Sequence, residues 1–275
     1  MTQLLLQFRA LLWAVLRDST EEELKKADDQ GLFPIHYAAK KLLPDAVLYL
    51  LSYGADVNKK SESRDRTALH YAVRFRQHDE RKQQMVLVQV LKAFKADHSL
   101  PDAVGHVPLF NAILTEDIDL VKLLIDPATI DHADDDGDTH LHIAAEWSLD
   151  QIVCLLIANG ADPELRNNKG LTPFHIAAQK SDTCLKAMSE ACIAEELEIV
   201  DIFSQKDDSK HTPLDYAAIH SHQDTFHYMW KHIQGHTKPG IASYKPVLDR
   251  LFDEDAKKIR LAILQQTLER FSKPE

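Results

Sequence analysis

The chain has 275 residues, of which 44% are hydrophobic and 27% are charged; this is enough for a sizeable core and excludes a mini-protein or a wholly disordered chain. Lys and Arg total 32 against 43 Asp and Glu, and the formal net charge of -11 disfavours general nucleic-acid binding. With only 8 Gly, 11 Pro and 3 Cys, collagen-like and disulfide-framework classes are also excluded.

Residues 1–27 predict an N-terminal helical cap rather than a signal peptide. Their apolar run, LLLQFRALLWAVL, carries Arg9 and is not preceded by basic residues, as a secretory signal would be. No apolar run in the chain reaches the roughly 18 residues of a membrane-spanning helix. The odd number of cysteines suits a reducing compartment. We therefore expect a cytoplasmic protein that does not insert into a membrane.

An internal repeat dominates the next 200 or so residues. Segments such as GLFPIHYAA at 31–39 and GLTPFHIAA at 170–178 share an alanine that recurs at spacings of 34, 40, 32, 33 and 40 residues. In several copies a second apolar segment follows, for example IVCLLIANGAD at 152–162. This pattern predicts helix-turn-helix units that bury their apolar faces by stacking. The predicted units are residues 28–60, 61–100, 101–133, 134–166, 167–206 and 207–235.

The repeated motif resembles that of the ankyrin-repeat family, whose units contain T-P-L-H-x-A-A and G-A-D-x-N segments. The resemblance covers residues 28 to about 235 and implies an all-α solenoid of about six units with short hairpin loops. The family uses the motif histidine to tie the hairpin to the helix start, which implies structural roles for His36, His70, His142 and His175. Asp65 and Lys210 replace the turn glycine, and those two loops should be less regular. An insertion around 193–203 should add a helical turn or a short helix.

Residues 236–275 have no repeat signature and predict a C-terminal helical extension. Leu261, Leu264, Leu268 and Phe271 have helical spacing, which suits an amphipathic helix that covers the last repeat. Alternatively, the segment is a docking element or an export tail. Arrays with irregular units and appended helices also resemble effectors of intracellular bacteria, which would act on a host protein in the host cytoplasm.

The resemblance implies that a partner binds at the hairpin tips and at exposed residues of the first helices, on the concave side. The candidate binding residues are Lys40, Lys41, Arg64, Arg66, Arg74, Phe75, His106, Leu114, Asp136, Asp138, Glu146, Trp147, Lys169 and Lys180.

Two properties of these residues suggest how a partner would bind. We place Phe75, Leu114 and Trp147 at equivalent positions of successive units, where they would form an exposed apolar strip. Alternatively, the loop at 77–82 or the C-terminal segment covers this strip within the chain. The early units are basic and the fourth is acidic, which would orient a partner with complementary ends, unless these are solvated charges of little individual effect.

No cofactor, metal or catalytic group is predicted. The acidic run at 131–140 lacks the glycine and glutamate positions of a calcium-binding EF-hand loop, and only His232 and His236 among the clustered histidines have the i, i+4 spacing of zinc ligands. The enzyme alternative is Cys184 or Cys192 activated by His220 or His222, but no phosphate loop or nucleophile elbow accompanies them. We predict a non-catalytic, monomeric module or scaffold that binds another protein.

Overall fold

The computed structural model describes residues 26–74, 81–220, 222, 224–225, 228–229 and 231–232. The predicted N-terminal cap, apart from its last two residues, and the predicted C-terminal extension lie outside these ranges. Phe75 and most of the loop at 77–82 lie outside them as well. The chain divides into two compact units, Met1–Leu124 and Ile125–Glu275.

The first unit contains three helical pairs among its described residues. The first helix of each pair packs against the first helix of the next pair. The motif alanines Ala38, Ala72 and Ala112 are fully buried, and their small side chains allow the backbones to approach closely. The helices are α1 (Pro34–Lys40), α2 (Pro44–Ser52), α3 (Ala68–Val73), α4 (Arg81–Ala93), α5 (Pro108–Ile113) and α6 (Ile118–Leu124).

The second unit repeats this arrangement. Its first helices α7, α9 and α12 pack in that order, and the second helix α8 packs on α10. The helix α11 occupies the insertion in the fifth repeat, which confirms the short helix predicted around 193–203. The helices are α7 (His140–Glu146), α8 (Asp150–Ala158), α9 (Pro173–Lys180), α10 (Asp182–Ala194), α11 (Ile199–Ser204) and α12 (Pro213–Ile219).

The fold is an all-α repeat fold of the solenoid class, as predicted. In the described part of the chain the extended structure amounts to one isolated bridge, between Ala133 and Thr139. Proline in the first turn of α9 needs no backbone donor, which suits the start of a helix. None of the described helices combines the length and apolar composition that crossing a bilayer requires.

The loop that precedes each first helix has a residue with positive φ. Lys210 (φ 69°) takes the place of glycine, yet its loop keeps the glycine-type hydrogen bonds, from Lys210 N–H to Asp207 C=O at 3.0 Å and from Asp207 N–H to His211 C=O at 2.8 Å. The prediction that this loop is irregular is therefore wrong. At Asp65 (φ 53°) it is confirmed, because that loop closes five residues apart, through Ser61 N–H and the Arg66 carbonyl, and so has one extra residue.

Candidate functional site

The hairpin loops are closed by the side chain of their first residue. In the loop that begins at Asp102, the carboxylate Oδ1 accepts hydrogen bonds from the backbone N–H groups of Val104 and His106, at 3.1 and 3.0 Å. An oxygen at this place satisfies donors that the tight turn leaves free. The loops that begin at Asp28, Asp134 and Asn167 repeat both bonds. Sequence analysis missed these residues, although each stands three positions before the turn glycine.

The histidine of the motif joins its own helix to the next repeat. The Nδ1 of His142 accepts hydrogen bonds from the backbone N–H and the hydroxyl of Thr139, at 3.1 and 2.8 Å. Its proton therefore lies on Nε2, which donates to the Leu171 carbonyl at 2.9 Å. The predicted structural role is confirmed. His70 and His175 bond in the same way to the carbonyls of His106 and His211 in the next repeat, whereas His36 bonds to the Lys59 carbonyl within the first predicted unit.

These imidazoles have to be neutral to bond in this way, because Nδ1 must accept while Nε2 donates. Burial lowers the pKa of His36 and His142 below the ordinary value of 6.5, and it lowers the pKa of His70 and of His175 to about 4. The charged form is therefore disfavoured at neutral pH. The motif histidines therefore act as neutral hydrogen-bond acceptors and donors within the fold.

The sixth repeat has Asp215 at the position where repeats one, two, four and five have histidine and the third has Phe110. Its Oδ2 accepts hydrogen bonds from the Thr212 backbone N–H at 2.7 Å and from the Thr212 hydroxyl at 2.9 Å, just as Nδ1 of the histidine does. Its Oδ1 is buried and has no hydrogen-bond partner. Asp215 therefore caps the helix as the histidine does. Its second oxygen, Oδ1, is an acceptor, whereas the second ring nitrogen of the histidine, Nε2, is a donor.

The first unit holds seven of the predicted binding residues within the described ranges. Lys40, Lys41, Arg64 and Arg74 are exposed, and Leu114 and His106 are half-buried. The His106 ring stacks on Phe110 at a centroid distance of 3.9 Å, which orients the imidazole at the loop tip.

Arg66 differs from the expectation for a loop tip, because only 9% of the residue is exposed. Its Nε donates to Oδ2 of Asp102 at 2.9 Å, and the Arg66 backbone N–H bonds to the Ser61 hydroxyl at 3.0 Å. The Nη1 of Arg66 is buried without a hydrogen-bond partner. The guanidinium is drawn inwards by a carboxylate of the next loop, which the sequence does not place beside it.

Within the predicted strip of Phe75, Leu114 and Trp147, Leu114 is out of register with Trp147, and Phe75 lies outside the described residues. The residues with positive φ that follow the first helices of the third and fourth repeats are Glu116 and Ser148. Counted back from them, Trp147 corresponds to Thr115, whereas Leu114 corresponds to Glu146. Leu114 is also half-buried. The sequence itself shows the difference in register, because Leu114 stands two positions after its motif alanine and Trp147 stands three positions after its own.

Among the described residues of the second unit, Trp147 is the most exposed large apolar residue. It follows the last residue of α7, its backbone N–H donates to the Ile143 carbonyl at 3.1 Å, and 61% of the residue is exposed. Beside it in the chain, the Glu146 carboxylate accepts a hydrogen bond from Nζ of Lys180 at 2.5 Å. The backbone of Trp147 is therefore held by a helical hydrogen bond, and the next residue in the chain belongs to an ion pair.

The other predicted residues of the second unit lie at its loop tips. Asp136 and Lys169 are exposed, and Asp138 is half-buried. The Oδ1 of Asp138 accepts a hydrogen bond from Nδ2 of Asn167 at 2.7 Å, while Asp134 closes its own loop. Carboxylates of the acidic run are thus used to build and join loops. Within the ranges that the structure describes, no group of three His, Cys, Asp or Glu side chains is arranged to hold a metal ion.

The three cysteines are free thiols. Cys184 and Cys192 are fully buried, and burial raises the pKa of each to about 12. His222, the suggested base, has Nε2 at 3.0 Å from the Gln179 carbonyl and Nδ1 at 3.5 Å from Oδ1 of Asp182. Protonated thiols are poor nucleophiles, and this geometry gives no support to the cysteine-enzyme alternative.

Comparison with known proteins gives a consistent family assignment. A family model described as ankyrin repeats, in three copies, matches residues 6–82, 80–167 and 149–238. Over 199 residues, 71% of this chain, the sequence is 28% identical to inversin of Canis lupus familiaris, of which it covers 18%.

Two further relatives differ in how much of their length is matched. Over 139 residues the chain is 30% identical to the ankyrin repeat protein FPV223 of fowlpox virus, covering 50% of this chain and 93% of that protein. Over 72 residues, 26% of this chain, it is 43% identical to the human 2-5A-dependent ribonuclease, covering 10% of that protein. The chain thus spans only a small part of the ribonuclease and of inversin.

Proposed function

The chain belongs to the ankyrin-repeat family, and we propose that it binds a partner protein without catalysing a reaction. Ankyrin repeats are generally protein-binding modules. The observation that carries the proposal is the exposure of Trp147, of which 61% is open to solvent. A large aromatic side chain on an open surface contributes much binding free energy when a partner covers it, and it loses little conformational entropy on binding.

The surroundings of Trp147 support a specific contact. The ion pair between Glu146 and Lys180, with Nζ and Oε1 2.5 Å apart, provides polar groups beside the ring, and exposed apolar anchors with a polar rim are typical of interfaces. Asp136 and Lys169 extend the exposed surface of the second unit at its loop tips. We propose that the first unit contributes exposed basic residues to the binding surface, namely Lys40, Lys41, Arg64 and Arg74.

A non-catalytic role fits the described chemistry. The buried thiols are protonated at neutral pH because their pKa values are raised, and the motif histidines are committed to joining repeats. We also propose a cytoplasmic location, because three free cysteines persist in a reducing compartment, and a monomeric state. A role as an exported effector that binds a host protein remains an alternative, and it would depend on residues 236–275.

The test is a quantitative affinity capture from cell lysate with the full chain and the Trp147→Ala variant. A genuine partner should be retained by the wild-type protein and lost from the variant, because truncation of an interface anchor costs about 2 kcal/mol or more. The partner should then be confirmed with purified proteins. A variant that retains every specific protein that the wild type retains would contradict the proposal.

The control experiment measures the thermal stability of the Trp147→Ala variant. Trp147→Ala should leave the melting temperature nearly unchanged, since the side chain is exposed. Leu141→Ala, on the same helix but fully buried, should lower the free energy of unfolding by about 3 kcal/mol. A large fall in melting temperature for Trp147→Ala would place the ring in the core and remove it as a binding anchor.

A further inference from the structure

We propose that the second unit binds a basic segment of the partner protein, with an arginine side chain of that segment stacked on the ring of Trp147. The inference rests on the proposed function and names the chemistry of the partner at this residue. It starts from Trp147, of which 61% is exposed, and from the acidic loop at 134–138, which precedes the same helix, α7.

Helix α7 holds Trp147 at a fixed distance from the acidic loop. The helix has seven residues, which corresponds to a length of about 11 Å. Ile143 is half-buried, and its carbonyl accepts the Trp147 N–H at 3.1 Å. Residues four positions apart lie on the same side of a helix. Ile143 therefore extends the apolar surface of Trp147 towards the loop.

Contacts with the fifth repeat hold both ends of this surface. At the loop end, Asn168 donates through its backbone N–H to the Asp136 carbonyl at 3.0 Å and through Nδ2 to the Asp135 carbonyl at 2.9 Å. At the other end, Nζ of Lys180 lies 2.5 Å from Oε1 of Glu146. Because these groups are already ordered, a partner loses less free energy in arranging them.

The surface stays negatively charged when its own cations are counted. Lys180 offsets Glu146. The four carboxylates of the loop at 134–138 outnumber the two cations of the neighbouring loop, Arg166 and Lys169. Residues 125–220 as a whole contain 6 Lys and Arg against 19 Asp and Glu. Charge complementarity therefore favours a cationic segment over an acidic or an uncharged one.

An arginine combines the two properties that this surface selects. Its planar guanidinium stacks on aromatic rings and is attracted by their faces, and its charge suits the carboxylates of the loop. An extended peptide advances about 3.3 Å per residue, so about three residues span the length of α7. Two arginines three positions apart can therefore reach Trp147 and the exposed Asp136 at the same time.

The test is fluorescence anisotropy of a fluorescein-labelled peptide, Gly-Arg-Ser-Ser-Arg-Gly, titrated with the full chain at low salt. Trp147→Leu keeps an apolar side chain but removes the ring, and it should weaken binding about fivefold. Asp135→Asn/Asp136→Asn removes two exposed carboxylates of the loop, and it should weaken binding about fivefold or more.

The matched control is Glu195→Gln/Glu198→Gln. It removes the same charge from exposed positions between α10 and α11 and should change the dissociation constant less than about twofold. A second peptide, Gly-Ser-Arg-Arg-Ser-Gly, has the same composition with adjacent arginines and should bind more weakly than the first. Urea unfolding of all three variants should match the wild type, so that a loss of binding comes from the surface itself.

Several outcomes would overturn the inference. Equal weakening by the two double variants would mean non-specific attraction, and equal binding of the two peptides would remove the two-point contact. Full affinity of Trp147→Leu would make the residue an apolar anchor that binds no cation. Concentration-dependent self-association that Trp147→Leu abolishes would make a second copy the occupant. If neither peptide binds while Trp147→Ala still loses a captured partner, the basic segment is wrong and the proposed function stands.

Discussion

The Nε of Arg66 donates to Oδ2 of Asp102 at 2.9 Å although the two residues are 36 positions apart in the chain. The pair joins the loop of the second repeat to that of the third. Because the Asp102 side chain is almost completely buried, removing its cation leaves an anion that depends on backbone donors alone, in a site that water barely reaches.

Arg66→Ala should therefore lower the free energy of unfolding by about 3 kcal/mol. Urea denaturation followed by circular dichroism measures the change. Arg64→Ala, two residues away and exposed, should change it by less than about 0.5 kcal/mol. Similar small effects of both substitutions would show that the ion pair does not stabilise the fold.

Stability should fall as the solution is acidified from neutral pH. The pKa of His70 and of His175 is about 4 in the folded chain, against an ordinary value of 6.5, so between these values the unfolded chain binds protons that the folded chain does not. The stability is complete above pH 6.5 and is lost as the pH falls towards 4. Each histidine contributes on the order of 3 kcal/mol to this loss.

Urea unfolding at several pH values between about 7 and about 4.5 measures this dependence. The double variant His70→Gln/His175→Gln is the control, because glutamine offers an acceptor and a donor but does not titrate. Its stability should depend less on pH than that of the wild type. A wild-type midpoint that stays constant over this range would contradict the lowered pKa values.

Glycine positions should differ according to what surrounds them. A Cβ added at Gly170 would lie 2.8 Å from the backbone N of Asp208, whereas one at Gly160 would meet nothing within 4 Å. Both residues have positive φ, so Gly160→Ala should cost about 1 kcal/mol from backbone strain alone. Gly170→Ala should cost at least about 1 kcal/mol more. If the two substitutions lowered the free energy of unfolding equally, in thermal or urea unfolding, the loops that carry Gly170 and Asp208 would not be in close contact.

The buried thiols should resist alkylation in the folded chain. With pKa values raised to about 12, Cys184 and Cys192 have almost no thiolate at neutral pH, and they are also inaccessible. Intact-mass measurement after iodoacetamide treatment should show them unmodified, while all three cysteines should react in urea. Rapid native labelling of Cys184 or Cys192 would restore the cysteine-enzyme alternative.

The helices were predictable because the repeat is a local signal. The motif alanines mark the first helices, and the apolar run at 152–158 marks a second helix without any knowledge of neighbours. The role of Asp102 was less visible, since its turn signal is local but its bond to Arg66 crosses between repeats. The position of Leu114 was misjudged because one residue of register separates it from the equivalent of Trp147.

The regular loop at Lys210 was not predictable from glycine preference alone. A lysine with positive φ is uncommon, and the sequence therefore suggested an altered loop. The structure instead keeps the hydrogen bonds of the glycine loops, with Asp207 accepting from His211 at 2.8 Å. The hydrogen-bonded frame of the loop outweighs the local preference of a single residue.

The exchange of histidine for Asp215 reverses the polarity of the joint that follows the sixth repeat. His70, His142 and His175 each donate a hydrogen bond to a carbonyl of the next repeat. A seventh unit of the same design would offer a carbonyl to the carboxylate of Asp215, so that two acceptors would face each other. An engineered array could be lengthened at this end only if Asp215 were first changed to histidine or if the added unit supplied an N–H group at that point.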